Sequence, residues 1–140
     1  MAGRKIYTYN PKDIKIAMGN HIVTGLAEDS FVSIAQSSDG VTHKTGCDGE
    51  TVRSLSPDKT YSITLTVNQY SPTNEWLNNM YDEDMETGDG MFPITVRDVL
   101  GDVVFSSEAA WATKRPEWGY GRESTNRQWT LACVNGVFEM

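Results

Sequence analysis

The sequence predicts one mostly β domain, a small antiparallel β-sandwich or barrel with a single flanking α-helix. Several short segments alternate between apolar and polar residues, turns rich in Gly and Asn separate them, and only one segment has helical spacing. The 140 residues have the length of one domain, which we place at 1–140, and can bury a core. With 39% hydrophobic and 22% charged residues, the composition is that of a globular protein.

The clearest strand is 61–67, where Tyr61, Ile63, Leu65 and Val67 share one face and hydroxyl side chains occupy the other. Shorter versions of this pattern predict the strands 14–18, 21–24, 31–36, 92–99, 103–106, 109–113 and 127–134. Many short strands in one small chain favour a sandwich or barrel.

One helix is predicted over about 72–86. Ser71 is a typical N-cap, and Pro72 suits the first helical position. Apolar side chains then recur at helical spacing and form one stripe that can lie on the sheet: Trp76, Leu77, Met80 and Tyr81.

Two segments, 37–59 and 116–126, carry little pattern. The first is long for an unstructured loop in a compact domain. It is either an extended hairpin or a segment ordered by a partner, and we favour the partner.

Charge and composition exclude several classes of protein. A net charge of −7 argues against gripping nucleic acid, because phosphate binding needs a basic face. It is compatible with enclosing DNA, since an acidic wall repels phosphates and lets a duplex slide. No apolar run approaches the roughly 18 residues of a membrane span, and the first residues do not resemble a secretory signal, so we expect synthesis in a cytoplasm.

The search for chemistry finds no catalytic, cofactor or metal site. Neither His21 nor His43 stands beside a nucleophile motif, and we expect His21 to be an ordinary surface residue. His43 and Cys47 lack a second ligand pair. The acidic run from Asp82 fails as a calcium loop, because Thr87 and Pro93 occupy the glycine and glutamate positions. We therefore expect no enzyme and no cofactor.

Fragments spread along the chain resemble, in order, the tail tube proteins of long-tailed bacteriophages, particularly a compact family from contractile tails. They are Tyr9 to Ile14, Gly46 to Arg53, Gln69 with Ser71 to Asn74, Phe92 to Ile94 with Asp98, Ala110 to Ala112 with Lys114 and Pro116, and Glu123 with Asn126, Arg127 and Trp129. Cys47 departs from the small residue expected there, which leaves room for a thiol contact or disulfide between subunits.

The resemblance implies a ring-forming subunit. Six copies would form a ring, and stacked rings would form a hollow tube that delivers DNA into the host. The implied partners are further copies of the chain, a tail sheath protein, a tape-measure protein, a baseplate or tube-initiator protein and a tail terminator protein. The implied location is the virion, with assembly in the host cytoplasm.

The resemblance also suggests three surfaces. We expect contacts to the adjacent ring from the 37–59 loop and from the N-terminal arm, through Tyr7, Tyr9, Lys12, Asp48, Gly49 and Arg53. We expect Ser62, Thr64 and Thr66 to face the lumen. We expect Glu75, Asp82 and Glu83 to face outward, towards a sheath or solvent.

Two alternatives stay open. One is a free-standing β-sandwich binding module, for example a carbohydrate-binding one that uses Trp111, Trp118 and Tyr120 as stacking platforms. The other is a tube subunit of a phage-derived bacteriocin or injection system.

Overall fold

The computed structural model describes residues 6–140 and contains ten strands, one α-helix and a short 3₁₀ turn. The strands are β1 (Ile14–Met18), β2 (His21–Ile22), β3 (Val32–Gln36), β4 (Val41–Thr45), β5 (Thr51–Leu55), β6 (Tyr61–Asn68), β7 (Phe92–Asp98), β8 (Val103–Lys114), β9 (Asn126–Val134) and β10 (Val137–Glu139). The helix α1 is Pro72–Thr87, and the 3₁₀ turn is Pro11–Asp13.

Eight strands form one antiparallel sheet in the order β2-β1-β7-β8-β9-β6-β3, with β10 paired to β8. The other two, β4 and β5, form a separate hairpin. The predicted fold class, mostly antiparallel β with one helix, is confirmed.

Strand β8 connects the two halves of the sheet. Its first half pairs with β7 and β10, and its second half pairs with β9 and, at Ala110, with Phe92 of β7. A register shift separates the halves, so that the buried set changes from Phe105 and Ser107 to Ala110 and Ala112. Such a bulge bends a strand. The sequence analysis divided this continuous strand into two, because the alternation of side chains changes phase at the bulge.

The sheet wraps around one apolar core. In β6 the side chains of Ile63, Leu65 and Val67 are at most 1% exposed, as the alternation predicts. In β9 the inward positions begin with Arg127 and continue through Trp129, Leu131 and Cys133. Arg127 is therefore a charged residue at a core-facing position.

Helix α1 closes one end of this core. The Ser71 hydroxyl accepts a hydrogen bond from the Thr73 N–H, which caps the N-terminus, and Gly88 ends the helix in a left-handed conformation. Leu77 is fully buried, and the rest of the predicted apolar stripe packs against the core. The helix is also tied to the sheet, because the indole N–H of Trp129 donates to Asn74 Oδ1 at 2.9 Å.

Candidate assembly surfaces

The β4–β5 hairpin lies within the 37–59 segment. The structure thus shows the extended hairpin, the alternative that the sequence analysis did not favour. All ten residues of its two strands are exposed. Without a buried face the strands need no alternation of apolar and polar residues, and that is why the pattern gave little signal.

Three of the predicted ring-contact residues lie on this hairpin. Asp48 and Gly49 form its tip, where Gly49 has a φ of +88° and its N–H donates to the Gly46 carbonyl. That φ favours glycine. Arg53 lies on β5 directly across from His43, and both side chains are exposed.

Asp58 fastens the base of the hairpin. Its carboxylate accepts hydrogen bonds from the Thr60 hydroxyl at 2.7 Å, the Ser38 hydroxyl at 2.8 Å and the Thr60 N–H at 3.0 Å. These bonds, led by that from the Thr60 side chain, hold the pKa of Asp58 below its ordinary value. The hairpin is thus anchored at its base and exposed along its strands.

The N-terminal arm, with Tyr7, Tyr9 and Lys12, lies elsewhere on the subunit. Tyr7 and Tyr9 are exposed and border clefts formed with the β7–β8 turn, near Asp98. Lys12 is an exposed residue of the 3₁₀ turn. The structure does not bring these residues together with the hairpin within one subunit.

A polar face with almost no charge covers the outside of β3, β6, β9 and the second half of β8. Ser62, Thr64 and Thr66 run along its centre and are only partly buried. Register places them beside Ala132, Thr130 and Gln128 of β9, and the first two beside Ala35 and Ser33 of β3. Apart from Lys114, which ends β8 and lies beside Thr130, no Asp, Glu, Lys or Arg lies on this face between the strand ends. We call it the neutral face. The acid excess of the chain therefore lies elsewhere.

Much of that excess lies on and just after α1. The helix carries five acids and no base, and four of the acids occupy its last turns, where the helix dipole disfavours negative charge. Glu75 and Glu83 are exposed. Asp82 is exposed as well, but it forms an ion pair with Arg115, which also donates to Asn78 Oδ1 at 2.6 Å. The three predicted outward-facing acids thus differ, because one is already partnered.

The 116–126 segment, which had little pattern, encloses Arg127. The guanidinium of Arg127 lies 4.4 Å from the ring centroid of Trp118 and 5.5 Å from that of Tyr120. Its terminal nitrogens donate to Gly119 O at 2.9 Å and Thr125 Oγ1 at 2.6 Å, whereas its buried Nε has no partner among the described residues. Sequence reasoning missed this role; the signal that could have revealed it is the alternation of β9, in which Arg127 shares the face of Trp129.

The candidate chemical residues do not form a site. His21 was predicted as a plain surface residue, but its ring stacks on Trp76 at 5.3 Å and its Nε2 lies 2.9 Å from Thr73 Oγ1. Burial lowers the pKa of His21. Cys47 is exposed, and burial raises the pKa of the Cys133 thiol. Across residues 6–140, no three His, Cys, Asp or Glu side chains are grouped to hold a metal. In the same range, no helix is long and apolar enough to cross a membrane.

The fold is that of tube and tube-terminator proteins. One chain of the sheath/tube terminator of the PVC extracellular contractile injection system has a TM-score of 0.66, at 12% identity over 96% of this chain and 99% of the other. The tube-terminating cap of the anti-feeding prophage has a TM-score of 0.61, at 16% identity over 99% and 95%. A chain of the extended PVC sheath–tube complex has a TM-score of 0.60, at 13% identity over 95% and 92%.

Sequence comparison gives the family. Residues 15–137 match the family described as Bacteriophage PhiTE tail tube protein, and this chain belongs to that family. It is also 29% identical to "Structural protein ORF10" of Pseudomonas phage KPP10 over 147 aligned positions, covering 99% of this chain and 84% of the other. The resemblance found in the sequence is confirmed, and the chain is a structural protein of the phage tail and hence part of the virion.

Proposed function

We propose that six copies of this chain form a ring, and that the rings stack into a hollow tail tube through which DNA passes into the host. The observation that carries the proposal is the hairpin. An isolated two-stranded hairpin is marginally stable in water, yet all ten strand residues of β4 and β5 are exposed. Such a projection is stabilised when a neighbouring subunit covers it, and a stacked ring supplies that neighbour.

Hairpin and arm are the proposed ring-to-ring contacts. Asp48, Gly49 and Arg53 would reach the adjacent ring, as would Tyr7, Tyr9 and Lys12 from the arm. Tyr7 and Tyr9 are 85% and 71% exposed, which leaves large aromatic surfaces that a neighbour can bury.

The neutral face is the proposed wall of the lumen. Ser62, Thr64 and Thr66 offer hydroxyls and no cation, so such a wall would not retain phosphates by charge. This differs from the reasoning from net charge, in which an acidic wall repels the duplex.

The acidic helix is the proposed outer surface. Glu75 and Glu83 project from α1, whereas Asp82 is neutralised by Arg115 within the subunit. An excess of acid on this surface is complementary to a basic sheath protein, the proposed outer partner. Tape-measure, initiator and terminator proteins would contact the lumen and the ends of the tube.

A tube terminator is the second candidate function, because two of the similar folds come from terminator structures. A terminator would form a single ring, whereas a tube subunit would polymerise. Tube subunits of phage-derived bacteriocins and injection systems also polymerise, so the proposed tube function covers that alternative.

The binding-module alternative loses its main support. Trp111 lies on the neutral face opposite Ala132, whereas Trp118 and Tyr120 enclose Arg127 on a different surface. The three aromatic rings therefore do not form one platform.

Negative-stain microscopy of the concentrated protein tests the proposal. We expect hexameric rings that stack into hollow tubes with a lumen wide enough for a duplex. Single rings that never stack would favour the terminator. A protein that stays monomeric at every concentration in size-exclusion chromatography would contradict both.

A further inference from the structure

A cleft of about 530 Å³ lies where β8 ends and β9 begins, and we call it the basic notch. Its charged lining residues are Lys114, Arg115 and Arg127, against a single acid, Glu117. With the Asp82 carboxylate that pairs with Arg115, three cations and two acids give a net charge of +1 in a chain whose total is −7. The notch is therefore a local positive site on an acidic protein.

Two of these cations have no anionic partner in the part of the chain that the structure describes. The one ion pair there is Arg115 with Asp82, which leaves Lys114 and Arg127 without one. Arg127 is 1% exposed, and its Nε makes no hydrogen bond. A buried guanidinium without a carboxylate is costly. Carboxylates placed in the notch would lower that cost.

The hairpin tip carries such carboxylates. Asp48 and Glu50 are exposed, and neither forms an ion pair within residues 6–140. The Asp48 carboxylate accepts a hydrogen bond from the Glu50 N–H at 3.2 Å, which fixes the shape of the tip. The tip is thus an ordered, doubly negative projection.

The notch extends from the end of β6 that is opposite the hairpin to the middle of the strand, where Thr64 pairs with Thr130 and Lys114 lies beside Thr130. The hairpin is joined to the sheet where Ser37 N–H donates to Thr60 O, next to the start of β6. The other end of β6 pairs Asn68 with Asn126, the first residue of β9, beside the notch. Along β6, the far border of the notch at Asn126 is roughly 23 Å from the hairpin end and its near border at Lys114 roughly 10 Å, at about 3.3 Å per residue.

Resting on the tube proposed above, we infer that the basic notch receives Asp48 and Glu50 from the hairpin tip of a second copy of this chain, stacked head to tail. A head-to-tail contact uses two different surfaces of each subunit and can repeat without limit, and here each copy carries both. The opposite charges fix the register of one ring on the next.

Cross-linking through the natural Cys47 at the hairpin tip tests the contact. In concentrated Lys114→Cys protein, a short thiol-specific cross-linker should join Cys47 to the notch of the next copy and give a ladder of covalent oligomers. The matched control is Glu108→Cys, an exposed position at the hairpin end of the subunit, which should give no ladder. Tubes without a Lys114→Cys ladder, or an equal ladder from Glu108→Cys, would overturn the inference and leave the tube itself intact.

Charge exchange gives an independent test. Lys114→Glu should raise the protein concentration at which tubes form by about tenfold, and adding Glu50→Lys should restore it. Rings should persist in the single variant, because only stacking is affected. An unchanged concentration for Lys114→Glu, or no rescue by Glu50→Lys, would contradict the inference. Wild-type protein that forms neither rings nor tubes would refute the proposed function and the inference together.

The same variants test whether nucleic acid, and not a second copy of the chain, occupies the basic notch. Wild-type rings should not retard a duplex oligonucleotide at low salt. Retardation that Lys114→Glu abolishes would assign the notch to phosphate and overturn the inference.

Discussion

The hydrogen bond between Trp129 and Asn74 gives the sharpest test of how the helix is held on the sheet. Replacing Asn74 by leucine keeps a similar volume but leaves the buried Trp129 N–H without an acceptor. It also removes the bond from Asn74 Nδ2 to Asn68 O, which measures 3.0 Å. Asn68 O keeps the N–H of Ser71 as a donor, so only the indole is orphaned.

The magnitude follows from these contacts. An orphaned buried donor costs about 1–3 kcal/mol, and the second lost bond adds about 0.5–1.5 kcal/mol. The better helix propensity of leucine offsets up to about 0.5 kcal/mol. Asn74→Leu should therefore lower the free energy of unfolding by about 1–4 kcal/mol.

The assay is urea unfolding followed by circular dichroism, at a protein concentration low enough for the subunit to be monomeric. Asn79→Leu, at an exposed position on the same helix, is the control and should change stability by no more than about 0.5 kcal/mol. Trp129→Phe should lower the free energy of unfolding less in the Asn74→Leu background than in the wild type, because Trp129 and Asn74 share one hydrogen bond. Equal stability of Asn74→Leu and Asn79→Leu, or purely additive effects, would refute the reasoning.

Three further predictions concern the hairpin and the thiols. Arg53→Glu should weaken ring stacking in sedimentation while leaving the monomer's thermal transition nearly unchanged; a large drop in that transition would place Arg53 in the fold. One thiol, Cys47, should react with a disulfide reagent in native protein, and Cys133 only after unfolding, so two fast-reacting thiols would contradict the burial of Cys133. Hydrogen bonds, led by that from the Thr60 side chain, lower the pKa of Asp58 in the folded protein. The stability that the Asp58 carboxylate gives the hairpin is therefore complete above the unfolded pKa of about 3.9 and is lost as the pH falls through the folded pKa. Amide exchange in the hairpin should therefore lose protection in that acidic range, and Asp58→Asn should lack it already at neutral pH.

Burial decides how much of the structure the sequence could predict. Strand β6 and helix α1 were predictable, because burying one face forces apolar residues to recur with the period of the element. Strands β4 and β5 bury nothing and gave no such period. The bend in β8 was predicted as a gap between two strands, because a bulge shifts the alternation by one residue.

The candidate surfaces were predictable only in part. The alternation that placed Ser62, Thr64 and Thr66 on one face is present in the structure, but a sequence does not specify which face meets a neighbour. The ion pair between Asp82 and Arg115 joins residues far apart in the chain, and nothing local marks it. Arg127 had a visible signal, since a cation stood in a run of inward-facing residues, but its aromatic enclosure required the fold.

The neutral face has a consequence for the ions that travel with DNA. A duplex keeps a condensed layer of counterions unless protein cations replace them. This face has one cation at its margin, Lys114 beside Thr130, and no other lysine or arginine between the strand ends. In the proposed tube, the DNA would therefore carry its own ionic atmosphere along the conduit, and its passage would depend only weakly on salt.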